Sequence, residues 1–141
     1  MKPIVRGLTS NGAETDPHAT DGRLLGRTYA IPFDDVWCAA IALADGGLLG
    51  WSMVSSNDQV GTIQAESRTL ILRFVDDVYV HVCLDDNAQT RVDMRSRSRK
   101  GKRDLGRNRR NIGKFLRRLD KRLGAQPGQI LDPTHPTSWS S

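Results

Sequence analysis

A chain of 141 residues has room for one domain of ordinary size, and its 38% hydrophobic content supplies one modest core. The longest apolar run, Val36 to Ala44, falls far short of the ~18 residues of a membrane-spanning helix. Two cysteines, Cys38 and Cys83, exclude a disulfide-dense scaffold and a four-cysteine zinc site. The net charge of +5 is unevenly spread: from Arg95 to Arg122 fourteen Lys and Arg stand against two acids, Asp104 and Asp120. The rest of the chain holds seven basic and fourteen acidic residues. An acidic body is thus joined to a strongly basic C-terminal third, which either docks on that body or offers its cations to a polyanion.

Residues 1–24 mix Gly, Ser, Thr, Asn, Asp and Pro without an apolar period, and a disordered tail is expected there. Met1 to Gly7 lacks the apolar stretch of a secretory leader, so a cytoplasmic location is expected. The other end, residues 125–141, carries Pro127, Pro133 and Pro136 and closes on Ser138-Trp139-Ser140-Ser141; it too reads as a disordered tail. The folded unit is expected over residues 25–124, with no internal repeat.

Gly26 to Ile31 forms a first short strand stopped by Pro32, and a helix follows from Phe33 to Asp45. Asp34 and Asp35 stand where carboxylates meet the positive end of the helix dipole. Phe33, Trp37, Ile41 and Ala44 share one helical face, with Val36, Ala40 and Leu43 beside it, and Gly46-Gly47 gives the stop. Trp51 to Ser55 and Val60 to Ser67 read as two strands around Ser56-Asn57-Asp58-Gln59. The apolar run Leu70-Ile71-Leu72 that follows suits a buried strand or one helical turn, and periodicity does not choose between them.

The next hairpin is the most readable part. Val78, Val80, Val82 and Leu84 alternate with Asp77, Tyr79, His81 and Cys83, and Thr90, Val92 and Met94 alternate with Arg91, Asp93 and Arg95. Closing the turn on Asp86, Asn87 and Ala88 sets Val82 against Val92 and Val80 against Met94. The other face then pairs Tyr79 with Arg95, His81 with Asp93 and Asp77 with Arg97, whereas a one-residue slip would mix apolar and charged partners. The last helix runs from Asp104, its expected N-cap, to Leu123, with Leu105, Ile112, Leu116, Leu119 and Leu123 on one stripe, Phe115 flanking, and Gly124 as the stop. The order strand, helix, strands, helix predicts an α+β fold: a curved antiparallel sheet of four to five strands covered on one face by two helices, of helix-grip type.

Several strings carry a family resemblance: Val36-Trp37, Gly61-x-Ile63-x-Ala65, and Phe74-x-Asp76-Asp77-Val78. The most specific is Val92-Asp93-x-Arg95-Ser96-x-Ser98-Arg99-x-Gly101-x-x-Asp104-x-Gly106-x-Asn108. Through them the stretch from Tyr29 to Ile112 resembles domain-of-unknown-function family 1499. The resemblance implies a small domain of bacteria and plastid-bearing organisms without an established activity. Many such relatives look tethered to a membrane by an N-terminal segment; none is expected here, so a membrane location is not carried over, and the relatives tend to have Arg where this chain has His81. A histidine opposite Asp93 makes that pair sensitive to pH.

The polar residues of the matched strings are Asp76, Asp77, Asp93, Arg95, Ser96, Ser98, Arg99, Asp104 and Asn108. They are read either as a pocket between the last strand and last helix, with Arg95 and Arg99 as anion anchors, or as pairs and caps that fix that connection. The second reading is preferred, because arginine's planar fork suits a structural carboxylate. Asp76 and Asp77 point to opposite faces of a strand and cannot share a substrate. His81, Asp93 and Cys83 lack the spacing of a zinc site or a nucleophile dyad. No phosphate loop, metalloprotease helix, nucleophile elbow or dinucleotide fingerprint is present, so no cofactor, metal or catalytic residue is assigned.

Two functions remain. In the first, a non-catalytic binding or interaction module, Arg109, Arg110, Lys114, Arg117 and Arg118 contact an anionic partner: nucleic acid, an acidic protein or lipid headgroups. In the second, a small apolar ligand sits between sheet and long helix, lined by Trp37, Trp51, Val80, Val82, Met94, Ile112 and Leu116. An enzyme is the reading with least behind it.

Overall fold

The computed structural model describes residues 12–99 and 105–134, with Leu105 known by its backbone alone. The elements in chain order are β1 (Gly12–Glu14), β2 (Arg27–Tyr29), α1 (Phe33–Ala42), β3 (Trp51–Asn57), β4 (Thr62–Arg68), β5 (Val75–Leu84), β6 (Thr90–Ser98), α2 (Leu105–Leu123) and β7 (Ile130–Leu131). All seven strands join one antiparallel sheet in the order β3-β4-β5-β6-β2-β7, with β1 also on β6.

The hairpin β5–β6 pairs as its chemistry demands: Asp77 opposite Arg97, Tyr79 opposite Arg95, His81 opposite Asp93, Val80 opposite Met94 and Val82 opposite Val92. Its turn is closed by Asp85, whose amide donates to Gln89 O at 2.8 Å while its side chain accepts from the Asn87 and Gln89 amides. Alternation then divides the sheet. Val78, Val80, Val82, Val92, Met94, Ile63 and Ala65 lie on the inner face, where they are buried with Ile112, Phe115, Leu116 and Leu119 of α2. Trp51 stacks on Phe115 with ring centroids 5.5 Å apart.

The sheet is larger than the four to five strands expected, because both supposed tails contribute to it. Residues 12–24 are not a tail: β1 pairs with the end of β6, and Ala13 and Leu24 are buried. Three residues, Gly-Ala-Glu, show no alternation, so composition alone conceals them. Residues 125–131 likewise return to the body, β7 pairing with β2. Residues 1–11, the Asp104 cap and Trp139 lie outside the described residues.

Two further elements differ from expectation. α1 buries Val36, Ala39 and Ala40, whereas Phe33 and Trp37, stacked at 5.9 Å, and Ile41 flank that face. The helix ends at Ala42 and widens into one turn over Leu43–Gly47 instead of continuing regularly to Asp45. Leu70-Ile71-Leu72 is neither buried strand nor helical turn. It forms an exposed loop between β4 and β5, closed by Thr69 N donating to Phe74 O at 2.9 Å and by Phe74 N donating to Thr69 Oγ1 at 2.8 Å.

Candidate functional site

The polar residues of the family string do not converge on one pocket; they separate into four places. On the inner face, Asp76 of β5 accepts from Arg107 of α2 through Nε at 2.7 Å and Nη2 at 2.6 Å, a bidentate pair. Asn111 also donates to Asp76, at 2.9 Å, and to Ser96 Oγ at 3.0 Å. Ser96 donates to Asn108 Oδ1 at 2.6 Å, and Asn108 donates to Ser98 Oγ at 3.0 Å. Asp76, Ser96 and Asn108 are buried. This network satisfies its own donors and acceptors and rivets the first turns of α2 to β5 and β6.

On the outer face Asp77 pairs diagonally. Arg99 Nη2 lies 2.5 Å from both Asp77 and Glu66, and these two carboxylates hold the guanidinium protonated, raising its pKa. Arg95 pairs with Glu14 of β1 at 3.1 Å. The two expected anion anchors, Arg95 and Arg99, are therefore already occupied by carboxylates, and they stand across the sheet from the Asp76–Ser96–Asn108 network. Asp77 turns to Arg99 although Arg97 lies directly opposite it, leaving Arg97 exposed.

The fourth place centres on Arg91, which sequence reasoning passed over. Its side chain has no exposed surface and pairs with Asp93 through Nε at 3.1 Å and Nη2 at 2.9 Å. Its remaining donors reach Leu25 O at 2.7 Å and Thr28 Oγ1 at 3.3 Å, while Thr15 Oγ1 donates to Asp93 at 2.7 Å. Gly26 adopts φ +74°, and a Cβ there would fall 2.3 Å from the guanidinium, so glycine is needed for backbone and space alike. Asp93 thus has Arg91 as its cation. His81, buried beside it, has its pKa lowered, first by burial and also by Arg95, against opposing contributions from Asp93 and the Val60 backbone.

On α2 the five proposed contact residues divide. Arg109 is half-buried, with Asp21 of the N-terminal segment 3.7 Å away; that carboxylate is also held by Arg23, whose hydrogen bonds lower its pKa. Arg110, Lys114, Arg117 and Arg118 are exposed, and Lys121 and Arg122 continue the row. Steps of three and four keep these six on one side of the helix, over about 18 Å at 1.5 Å per residue. Among the described residues none of the six has a carboxylate partner. The opposite stripe carries Asp120, which accepts from Tyr29 and from Arg27, the latter at 3.0 Å; burial is the first cause of the raised Tyr29 pKa.

Of the residues expected to line a ligand cavity, Val80, Val82, Met94, Ile112 and Leu116 are buried in the core, Trp51 is stacked on Phe115, and Trp37 packs half-buried at the core's edge. Three concavities bounded by described residues lie elsewhere. They sit near Tyr29 and Pro32, between Leu43 and Arg118, and beside the Leu70–Leu72 loop. Among the described residues no three His, Cys, Asp or Glu side chains are grouped to hold a metal, and no helix is long and apolar enough to cross a membrane.

Fold and site together define an α+β domain whose antiparallel sheet is joined to its long helix by a buried Asp/Arg/Ser/Asn network. Residues 41–119, more than half of the chain, match the model of a family described as a protein of unknown function, DUF1499, and the chain belongs to that family. The matched range holds the whole network and the start of the basic row, whereas Val36-Trp37 precedes it. No curated protein and no solved structure matches the chain.

Proposed function

We propose that this domain is a non-catalytic binding module that contacts an anionic partner through the outer side of α2. Arg110, Lys114, Arg117 and Arg118 carry the contact, extended by Lys121 and Arg122. The observation that supports it is the contrast in pairing. The arginines of β6 and of the first turns of α2 are mostly held by carboxylates, while the exposed row is not. Six like charges along one helix side repel one another, a cost that an anionic surface turns into attraction. Lys121 and Arg122 have a second reason for their place, since cations in a last turn complement the helix dipole.

The contact reads charge and not bases. Trp51 is buried and Tyr79 half-buried on the outer sheet face, so neither offers a stacking platform beside the row. Titration against heparin and against a single-stranded oligonucleotide at rising salt tests the reading. Affinity is expected to fall steeply with salt, and each neutralised cation of the row to reduce the oligonucleotide slope by roughly 0.7. Binding that ignores salt, or no binding to either polyanion, contradicts it.

A further inference from the structure

The loop between β4 and β5 exposes three consecutive large aliphatic side chains: Leu70 at 67%, Ile71 at 90% and Leu72 at 71%. Single exposed apolar residues are ordinary, but a contiguous tip of three is not. The loop is no frayed strand. Two hydrogen bonds between Thr69 and Phe74 close it, and Phe74 lies under the Arg107 guanidinium, 5.2 Å from ring centroid to Cζ. Its anchor is therefore the residue that also grips Asp76, so a well-held base presents the tip. Beside it runs an open groove of about 390 Å³ lined by Thr69, Leu70, Ile71, Leu72, Phe74 and Arg107.

The charges at this end identify the occupant. Among the described residues, Glu66, Asp76 and Asp77 are the carboxylates beside the loop, and each is already engaged: Glu66 and Asp77 by Arg99, Asp76 by Arg107. Arg73 within the loop and Arg97 at the end of β6 are exposed, and neither has a carboxylate partner among the described residues. Arg68 lies 3.8 Å from a Glu66 already shared with Arg99. An aliphatic tip with surplus cations at the same end of the sheet matches a leaflet whose interior is apolar and whose surface is anionic. A second copy of the chain would have to bring an acidic, concave surface. Two concavities away from the loop, one near Tyr29 and Pro32 and one between Leu43 and Arg118, contain no Asp or Glu.

We infer that the Leu70-Ile71-Leu72 tip inserts into an anionic lipid bilayer, with Arg68, Arg73 and Arg97 at headgroup level. The electrostatic half of this inference rests on the reading of the chain as a binder of anionic surfaces; the apolar half is independent of the basic row of α2. Neither half requires a spanning segment, since shallow insertion plus basic residues gives reversible attachment.

The test is co-sedimentation of the full chain with vesicles of pure phosphatidylcholine and of equal parts phosphatidylcholine and phosphatidylglycerol. Binding is expected to the mixed vesicles only. The triple variant Leu70→Ser, Ile71→Ser, Leu72→Ser should fold normally, because these side chains are exposed, and should lower partitioning about tenfold or more. Heparin binding by the same variant should be unchanged. An Ile71→Trp variant should add a fluorescence component that shifts to the blue with mixed vesicles and is quenched by brominated acyl chains. Heparin binding without vesicle binding overturns the lipid inference and leaves the helix reading intact. Failure to bind either probe removes both. Equal vesicle binding by the serine variant, or a dimer of the native chain that the serine variant disperses, overturns insertion by the loop.

Discussion

Two sets of arginines stand between the start of β6 and the end of α2, and their pairing differs. Arg91, Arg95, Arg99 and Arg107 are each held by at least one carboxylate, and Arg91 has no exposed surface at all. Arg110, Arg117 and Arg118, a few residues on, face solvent with no acid beside them among the described residues. Identical side chains thus serve mostly as paired rivets along β6, just beyond it and at the start of α2, and as a charged surface along the rest of the helix. What separates them is register: positions 107, 108 and 111 turn toward the sheet, positions 110, 114, 117 and 118 away from it.

The comparison breaks most severely at Arg91. Arg91→Met leaves Asp93 buried without its cation and should cost about 3–5 kcal/mol of unfolding free energy, measured with urea. A loss below about 1 kcal/mol would show that Asp93 finds solvent. Gly26→Ala strikes the same group from the backbone side, combining φ +74° with overlap on the guanidinium. A loss of about 1–3 kcal/mol is expected in the same measurement. Asn108→Ala, which takes the acceptor from the buried Ser96 hydroxyl and leaves Ser98 Oγ with Arg107 as its remaining donor, should cost about 1–3 kcal/mol. A neutral result there would mean that the network adds nothing to docking of the helix.

His81 sharpens the comparison with pH. Its pKa is lowered on folding, so the unfolded chain binds the proton more readily. Its contribution to stability is fully present above the ordinary histidine value of about 6.5 and is lost as pH falls below it toward the lowered folded value. Besides Asp93 and Arg95, the outer face around it carries Arg91 and Tyr79. The thermal midpoint of the native chain should drop on mild acidification, and His81→Gln should flatten that part of the profile. A midpoint that rises on acidification would mean that His81 is stabilised as the cation.

Much of this architecture is legible in the residues. The hairpin register follows from alternation and complementary charges, and α2 from the stripe that ends at Leu123. The site is less legible. Arg91 alternates with Thr90 and Val92 and so resembles a solvent-facing residue; its burial depends on Thr15, Leu25 and Thr28, distant in sequence. One signal for the inner network was available: the apolar stripe of α2 jumps seven residues from Leu105 to Ile112, and Asn108 fills the gap. Arg107 and Asn111 flank that position on the same side and complete the network. The exposed Leu70–Leu72 run has no signature that separates it from core, because three aliphatic residues read alike in a buried strand and on a loop tip.

The smallest expected change in stability tests the central claim most directly. In the double variant Arg117→Gln, Arg118→Gln, oligonucleotide affinity should fall and its salt slope drop by roughly 1.4, from about 0.7 for each cation. The unfolding free energy should stay within about 0.5 kcal/mol of the native chain's. Unchanged affinity and slope, or a large loss of stability, would mean that these cations belong to the fold after all.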